Sequence, residues 1–335
     1  MADEDEPWIA ALDAALARAY PGIPITWVDP LQPDEHPLRS LAILALDEPD
    51  PHFLIVTYGL SAPDDDGPGS GLELTMRVAR DEHDRENLPS WTRSLLEHLA
   101  SYVAHSSAFE AGENFDLVEP LTKDSHLEAV VFAPDAVVPS PLEAPDGAVT
   151  LLQCVLLARD EYEALRAWQG ACFTELLAAH QPLFVTHALR SSRMLDAGFR
   201  ARCEEGSARD GSSFAVAYGR VTWSVEQRSF ARARAAITIG HRECSEIALG
   251  LRLQLPREQP FVVVSGEPPL QSVVFASSAQ SRWFVDERDA EGRSLAILVA
   301  PGFLAELCAS LSAAEVGVLA WPQLQDLVVT VVADP

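Results

Sequence analysis

The sequence predicts an α/β or α+β protein of two domains, an N-terminal mixed sheet flanked by helices (residues 1–200) and a C-terminal strand-rich α+β domain (residues 213–335). Three observations carry this. A chain of 335 residues is long enough to build two cores. Strand-period and helix-period segments are interleaved up to about residue 180, whereas strand-period segments dominate beyond 213. The charge is also uneven: residues 1–195 hold 33 Asp+Glu against 11 Lys+Arg, net −22, and residues 196–335 hold 17 against 13, net −4.

The elements follow in order. "PWIAALDAALARAY" (7–20) places Trp8, Leu12, Ala15, Leu16 and Ala19 on one helical face, and Pro21-Gly22 ends it. Residues 40–46 and 52–60 read as strands joined by the Asp/Pro turn "DEPDP". In "GSGLELTMRV" (69–78), Leu72, Leu74, Met76 and Val78 alternate with Glu73, Thr75 and Arg77. This is a strand with one apolar face, and its Glu-Thr-Arg face is expected in solvent or under a polar cover. Glu73 and Arg77 lie roughly 13 Å apart along such a strand, at ~3.3 Å per residue, so they do not pair.

"LPSWTRSLLEHLASYVAH" (88–105) returns to helical period, with Leu88, Trp91, Leu95, Leu99, Tyr102 and Val103 sharing a face. Residues 106–124 read as irregular. Strands are expected at 127–133 and at 147–158, where the near-continuous apolar run marks burial on both faces. A helix is expected over 159–180. "RCEEGSARDGSS" (202–213) lacks apolar period and reads as the inter-domain boundary. Beyond it, strands are expected at 214–220, 236–240, 247–255, 260–265, 271–276, 293–299 and 326–332. A helix at 301–312 opens with Pro near its first position.

Composition excludes several functions. A first domain of net −22 offers no clustered cations for phosphates, which argues against nucleic-acid binding and for a basic protein partner. No apolar run approaches the ~20 residues that span a bilayer, and the acidic start "MADEDE" is unlike a basic leader, so a cytoplasmic protein without membrane association is expected. The five cysteines, Cys154, Cys172, Cys203, Cys244 and Cys308, show no CxxC spacing and suggest neither disulfides nor structural zinc.

Catalytic patterns are weak. Ser70 in "GPGSG" lacks the GxSxG frame and the Lys-Ser/Thr of a phosphate loop. His98 and His105 lie seven residues apart, about two helical turns, too far for one tetrahedral metal site. "DDD" (64–66) reads as a solvated loop rather than a cation site, and "HREC" (241–244) sets a His near a Cys without a third partner. No enzyme, metal or cofactor is expected.

The stretches "VTYGLS", "SGLELTMRV", "LPSWTRSLLEHLASYV", "FEAGE" and "VTLLQCVLLARDEYEALRAWQGACFTELL" resemble, in order and spacing, the suppressor-of-fused family. "SVVFASSAQSRWFVDE", "SLAILVAPGFLAEL" and "WPQLQDLVVTVVAD" look like elements of that family's C-terminal domain. The resemblance implies a peptide clamp of two domains that takes a partner segment as an added strand. On the family's groove motif, Tyr102 falls on the aromatic position and Glu113 on the acidic one; Asp286 and Glu287 correspond to an acidic cluster in the second domain. Tyr102 fits the helix's core face equally well.

Animal members carry a long disordered insertion that has no counterpart here, so their role in restraining a transcription factor is not carried over. Bacterial relatives look like immunity proteins of polymorphic toxin systems, which implies a non-catalytic protein neutralising a basic, nuclease-type toxin domain. The alternative is a peptide-binding regulator or scaffold of a cellular protein.

Overall fold

The structure, a computed structural model, describes residues 7–31, 37–62, 69–80, 87–105, 108–144, 147–227, 232–266, 270–286 and 294–334. The chain forms two compact units. One runs up to Leu165 and includes Gln169–Glu205; the other holds Arg166–Trp168 and everything from Gly206 onward.

In the first unit, α1 (Pro7–Ala19) precedes four strands, β1 (Ile25–Val28), β2 (Ser40–Leu46), β3 (His52–Tyr58) and β4 (Leu72–Ala79). Then come α2 (Ser90–His105), β5 (Asn114–Asp116), β6 (Leu127–Pro134), β7 (Leu142–Ala144) and β8 (Gly147–Ala158). The helices α3 (Arg159–Ala167), α4 (Gly170–Ala178) and α5 (Ala197–Asp210) follow, the last residues of α3 and α5 belonging to the second unit. The eight strands make one sheet in the order β1-β2-β3-β4-β8-β6-β5, with β7 on β8. Parallel pairing of β4 with β8, among antiparallel neighbours, makes the sheet mixed. From Leu151 to Ala158 every residue of β8 is buried, as its apolar run predicts.

Each sheet face carries a core. On one, Leu72, Leu74, Met76 and Val78 of β4 pack with Leu95, Leu96, Leu99 and Val103 of α2. On the other, Trp8, Leu12 and Leu16 of α1 pack on Ala42, Leu44, Leu54, Val56 and Tyr58. The polar face of β4 turns toward this second side and is not solvated: Glu73, Thr75 and Arg77 are all 0% exposed. Their burial is possible because each finds partners on other segments. The Glu73 carboxylate accepts from Thr57 Oγ1 (2.7 Å), Ser61 Oγ (2.6 Å) and the N–H groups of Gly59 and Ser61 (both 3.0 Å). The Arg77 guanidinium donates two bonds to Asp135, at 2.8 and 3.0 Å, and one each to Gln153 Oε1 and Tyr20 Oη. Thr75 Oγ1 donates to the same Asp135 carboxylate at 2.6 Å.

Electrostatics fit this arrangement. Burial pushes the Asp135 carboxyl up, but the Arg77 hydrogen bonds and charge reverse that and hold it below the ordinary carboxylate value. Burial also opposes the Arg77 charge, and Asp135 again prevails, keeping the guanidinium protonated. Burial raises the Glu73 pKa against the pull of its four donors. All of these groups find partners in the sheet and its neighbouring segments, although Arg77 Nε has none among the described residues, so they are structural groups of the sheet.

In the second unit, β9 (Val216–Gly219), β10 (Val221–Glu226) and β11 (Arg234–Gly240) lead into α6 (His241–Gln254). Then come β12 (Phe261–Ser265), β13 (Ser272–Ser277), β14 (Arg282–Asp286), β15 (Ser294–Val299), α7 (Pro301–Ser312), β16 (Gly317–Leu319) and β17 (Leu327–Val332). A four-stranded sheet, β10-β11-β17-β16, and a five-stranded one, β14-β15-β13-β12-β9, share one core with both helices.

Several expectations need correction. Residues 247–255 lie not in a strand but in α6 and the 3₁₀ turn that follows it: Cys244, Ile247, Ala248, Leu251 and Leu255 are buried at helical spacing. The stretch 202–213, expected to lack regular structure, is mostly helical as part of α5, where Phe199, Cys203 and Gly206 face inward, and the division between the two units falls inside it, after Glu205. The helix expected over 159–180 breaks at Trp168-Gln169. The irregular stretch 106–124 contains β5, and β1, β10, β14 and β16 arise where no strand was expected.

Candidate partner-binding site

The C-terminal turns of α2 and the chain into β5 and β6 build an aromatic corner of the first unit. Phe109 is 8% exposed and stacks on Phe132 with ring centroids 3.9 Å apart, which ties the corner to the sheet. Tyr102 stacks parallel on Phe109 at 5.3 Å and meets the edge of Phe115 at 5.1 Å. His98, one turn earlier on α2, meets Phe115 at 5.7 Å. Tyr102 is nevertheless 40% exposed. It is therefore the outer plate of the stack and not a residue of the helix's core face, with one aromatic surface offered outward.

Glu113 stands in the turn between the two phenylalanines. Its N–H donates to the Glu110 carbonyl at 3.1 Å, and its Oε2 accepts from the Glu110 N–H at 2.9 Å. Two bonds stitch the turn to β6: Gly112 N–H to the Phe132 carbonyl (2.8 Å), and Phe132 N–H to the Glu113 carbonyl (3.0 Å). Gly112 has φ +90°, a left-handed conformation that favours glycine, and its carbonyl lies 2.4 Å from where a Cβ on Gly170 would sit. The turn is thus clamped from two sides while the Glu113 side chain is exposed.

β5 runs directly from this turn and is terminal in its sheet, pairing with β6 through Asn114–Val131, Phe115–Val130 and Asp116–Ala129. Asp116 takes two hydrogen bonds from Arg159, which also reaches Glu128 at 2.8 Å. These bonds hold the Arg159 charge, raising its pKa. The corner therefore presents an exposed aromatic ring, an edge strand, and the exposed acids Glu110 and Glu113. Such a surface suits an extended segment bearing a cationic or aromatic side chain.

The structure thus brings Tyr102 and Glu113 to one corner. Asp286 ends β14, itself terminal in the five-stranded sheet of the second unit, opposite Ser294 of β15. Glu287 lies outside the described residues, as does the "DDD" loop at 64–66. Sequence reasoning missed Phe109, Phe115 and Glu110; the signal available was the pair of phenylalanines flanking the Gly-bearing turn in "FEAGENF".

The weaker chemical patterns resolve into structural roles. Burial raises the Cys244 thiol pKa to about 11, which makes it a poor nucleophile, and its Sγ donates to the Gly240 carbonyl. His105 donates through Nδ1 to the Ser101 carbonyl. Among the described residues no cluster of three His, Cys, Asp or Glu could hold a metal ion, and no helix is long and apolar enough to cross a membrane.

Comparison with known proteins gives the same direction as the motifs. Residues 34–191 match the suppressor of fused protein (SUFU) family. The human and mouse suppressor of fused homologues are each 30% identical over 167 residues, 47% of this chain and 34% of theirs. The match thus spans about a third of the length of these curated relatives. The crystal structure of Drosophila suppressor of fused superposes with a TM-score of 0.70 at 17% identity, covering 98% of both chains. The Sufu–Fu complex structure gives a TM-score of 0.52 at 22% identity over 58% of this chain and 96% of that one. The likeness of fold to the Drosophila structure extends beyond the residues that match in sequence.

Proposed function

We propose that this chain is a non-catalytic protein-binding regulator that takes an extended partner segment at the Tyr102–Glu113 corner. The observation that carries the reading is the position of an exposed aromatic ring and an exposed carboxylate beside the terminal strand β5. A segment added to β5 gains main-chain hydrogen bonds, while Tyr102 and Glu113 select its side chains. The relative in the Sufu–Fu complex binds a protein, which supports a binding role here.

The reading assigns two functional domains, residues 1–200 and 213–335, with Asp286 and Glu287 as acidic contacts from the second. Toxin immunity is the narrower version of this reading. It draws on the net charge of −26 and a basic partner, but none of the matched relatives is named as an immunity protein. The regulator reading is better supported, and a cytoplasmic setting is proposed with it.

A photo-crosslinking residue placed at position 102, in cells of the source organism, tests the site, with exposed Tyr218 as the control position. The reading predicts a protein captured at 102 and not at 218, with capture lost when Glu113→Arg is added. Equal capture at both positions, or capture indifferent to Glu113→Arg, contradicts it.

A further inference from the structure

Several arginines of this acidic chain close on acids: Arg77 on Asp135, Arg159 on Asp116 and Glu128, Arg190 on Glu161. Arg232 and Arg282 do not. Among the described residues neither has a carboxylate at ion-pair distance, yet both line the same cavity of about 410 Å³ in the second unit. The cavity forms where the terminal strand β14 meets the segments leading into β11 and β17.

Its walls are built rather than incidental. Trp283 leans on the unit's core, and its indole Nε1 donates to the Gln325 carbonyl at 2.9 Å. Arg232 Nη1 donates to Gln325 Oε1 at 3.2 Å, and Ala235 N–H donates to the Asp326 carbonyl at 2.8 Å. Asp326 also lines the space, so the lining residues include two arginines and one aspartate. The volume falls within the range of roughly 300–1,000 Å³ usual for small-molecule sites. A guanidinium pairs best with planar or tetrahedral oxyanions, and the indole offers an apolar wall for the rest of a ligand.

We infer that this cavity is a binding site for a small organic oxyanion, a carboxylate or phosphate held by Arg232 and Arg282 with its apolar part against Trp283. The site is in the second unit and does not depend on the partner-binding corner of the first. The test is a titration of the ¹⁵N-labelled full chain with inorganic phosphate and with benzoate, following the Trp283 indole signal assigned through Trp283→Phe. Chloride at matched ionic strength is the reference. A saturable shift with either probe, weakened at least tenfold by Arg282→Gln and by Arg232→Gln but not by Arg80→Gln, is the expected result, and the stronger probe identifies the anion class. Both variants alter exposed side chains, so unchanged melting temperatures accompany the loss. A shift that chloride reproduces, that does not saturate, or that survives both substitutions overturns the inference.

Discussion

Arg77 and Asp135 show what a single residue can demand of this fold. Both side chains are fully buried and joined by two hydrogen bonds, so removing either leaves a charge without its partner in the interior. Arg77→Ala or Asp135→Ala is predicted to lower the unfolding free energy by about 3–5 kcal/mol, measured by urea unfolding. The double variant should lose clearly less than the sum, because each single change already breaks the pair; additive losses would show the two act independently. His52 gives a second prediction. It is 0% exposed, donates through Nδ1 to the Asp50 carbonyl at 2.7 Å, and has no partner for Nε2 among the described residues. Burial lowers its pKa, and the nearby Arg77 and Arg80 charges act in the same direction, against the Asp50 carbonyl. The unfolded chain takes up a proton near pH ~6.5 and the folded chain does not. Its contribution to stability is therefore complete above that value and is lost as pH falls toward the depressed folded pKa. His52→Gln should flatten the melting temperature between about pH 7.5 and 5.5; an unchanged slope would assign it to other groups.

At the scale of elements, packing distances decide which glycines are replaceable. Helix α6 lies so close to β12 that a Cβ on Gly250 would sit 2.1 Å from the Phe261 ring, whereas Gly302, in the first turn of α7, has nothing within 4 Å. Gly250→Val should cost about 1–3 kcal/mol by overpacking, and Gly302→Ala should stabilise by about 0.5 kcal/mol through helix propensity; thermal melts of the two should shift in opposite directions. The same close packing explains what the sequence revealed. β8 was legible because an unbroken apolar run has no other use, and α1 and α2 because their apolar stripes are clean. Over 247–255, Leu249, Leu251, Leu253 and Leu255 alternate like a strand while Ile247, Ala248 and Leu251 also fit a helix, so periodicity alone could not choose. α5 was hidden because only Phe199, Cys203 and Gly206 face inward, Gly206 fitting under the Trp168 ring. The burial of Glu73 and Arg77 was unreadable because the partners, Thr57, Ser61, Tyr20, Asp135 and Gln153, lie 12 to 76 positions away. At the candidate corner Tyr102 and Glu113 were singled out through the family motif, but the ring contacts of Tyr102 with Phe109 and Phe115 depend on a stretch without any period.

For the whole molecule, the field is the dominant feature: net −26 overall, with −22 of it in residues 1–195, where the candidate corner lies. A basic partner should therefore associate faster at low salt, since the Debye length shrinks from about 10 Å at 0.1 M to about 3 Å at 1 M. Stopped-flow association rates of the captured partner are predicted to fall steadily across that range, and a flat rate would reduce the charge to a solubility device. The corner itself makes a sharper demand. Glu113 is exposed, and although Glu113→Arg gives up the bond from the Glu110 N–H to its carboxylate, the backbone bonds of the turn remain, so the variant should keep the fold while presenting a cation at the position proposed to receive the partner's cation. The most direct measurement is the calorimetric affinity of the captured partner for the parent chain and for Glu113→Arg, with melting temperatures taken on the same samples. Binding weakened at least tenfold, about 1.4 kcal/mol, at an unchanged melting temperature is the predicted result. Equal affinity in a variant that melts like the parent would contradict the account and place the partner elsewhere on the molecule.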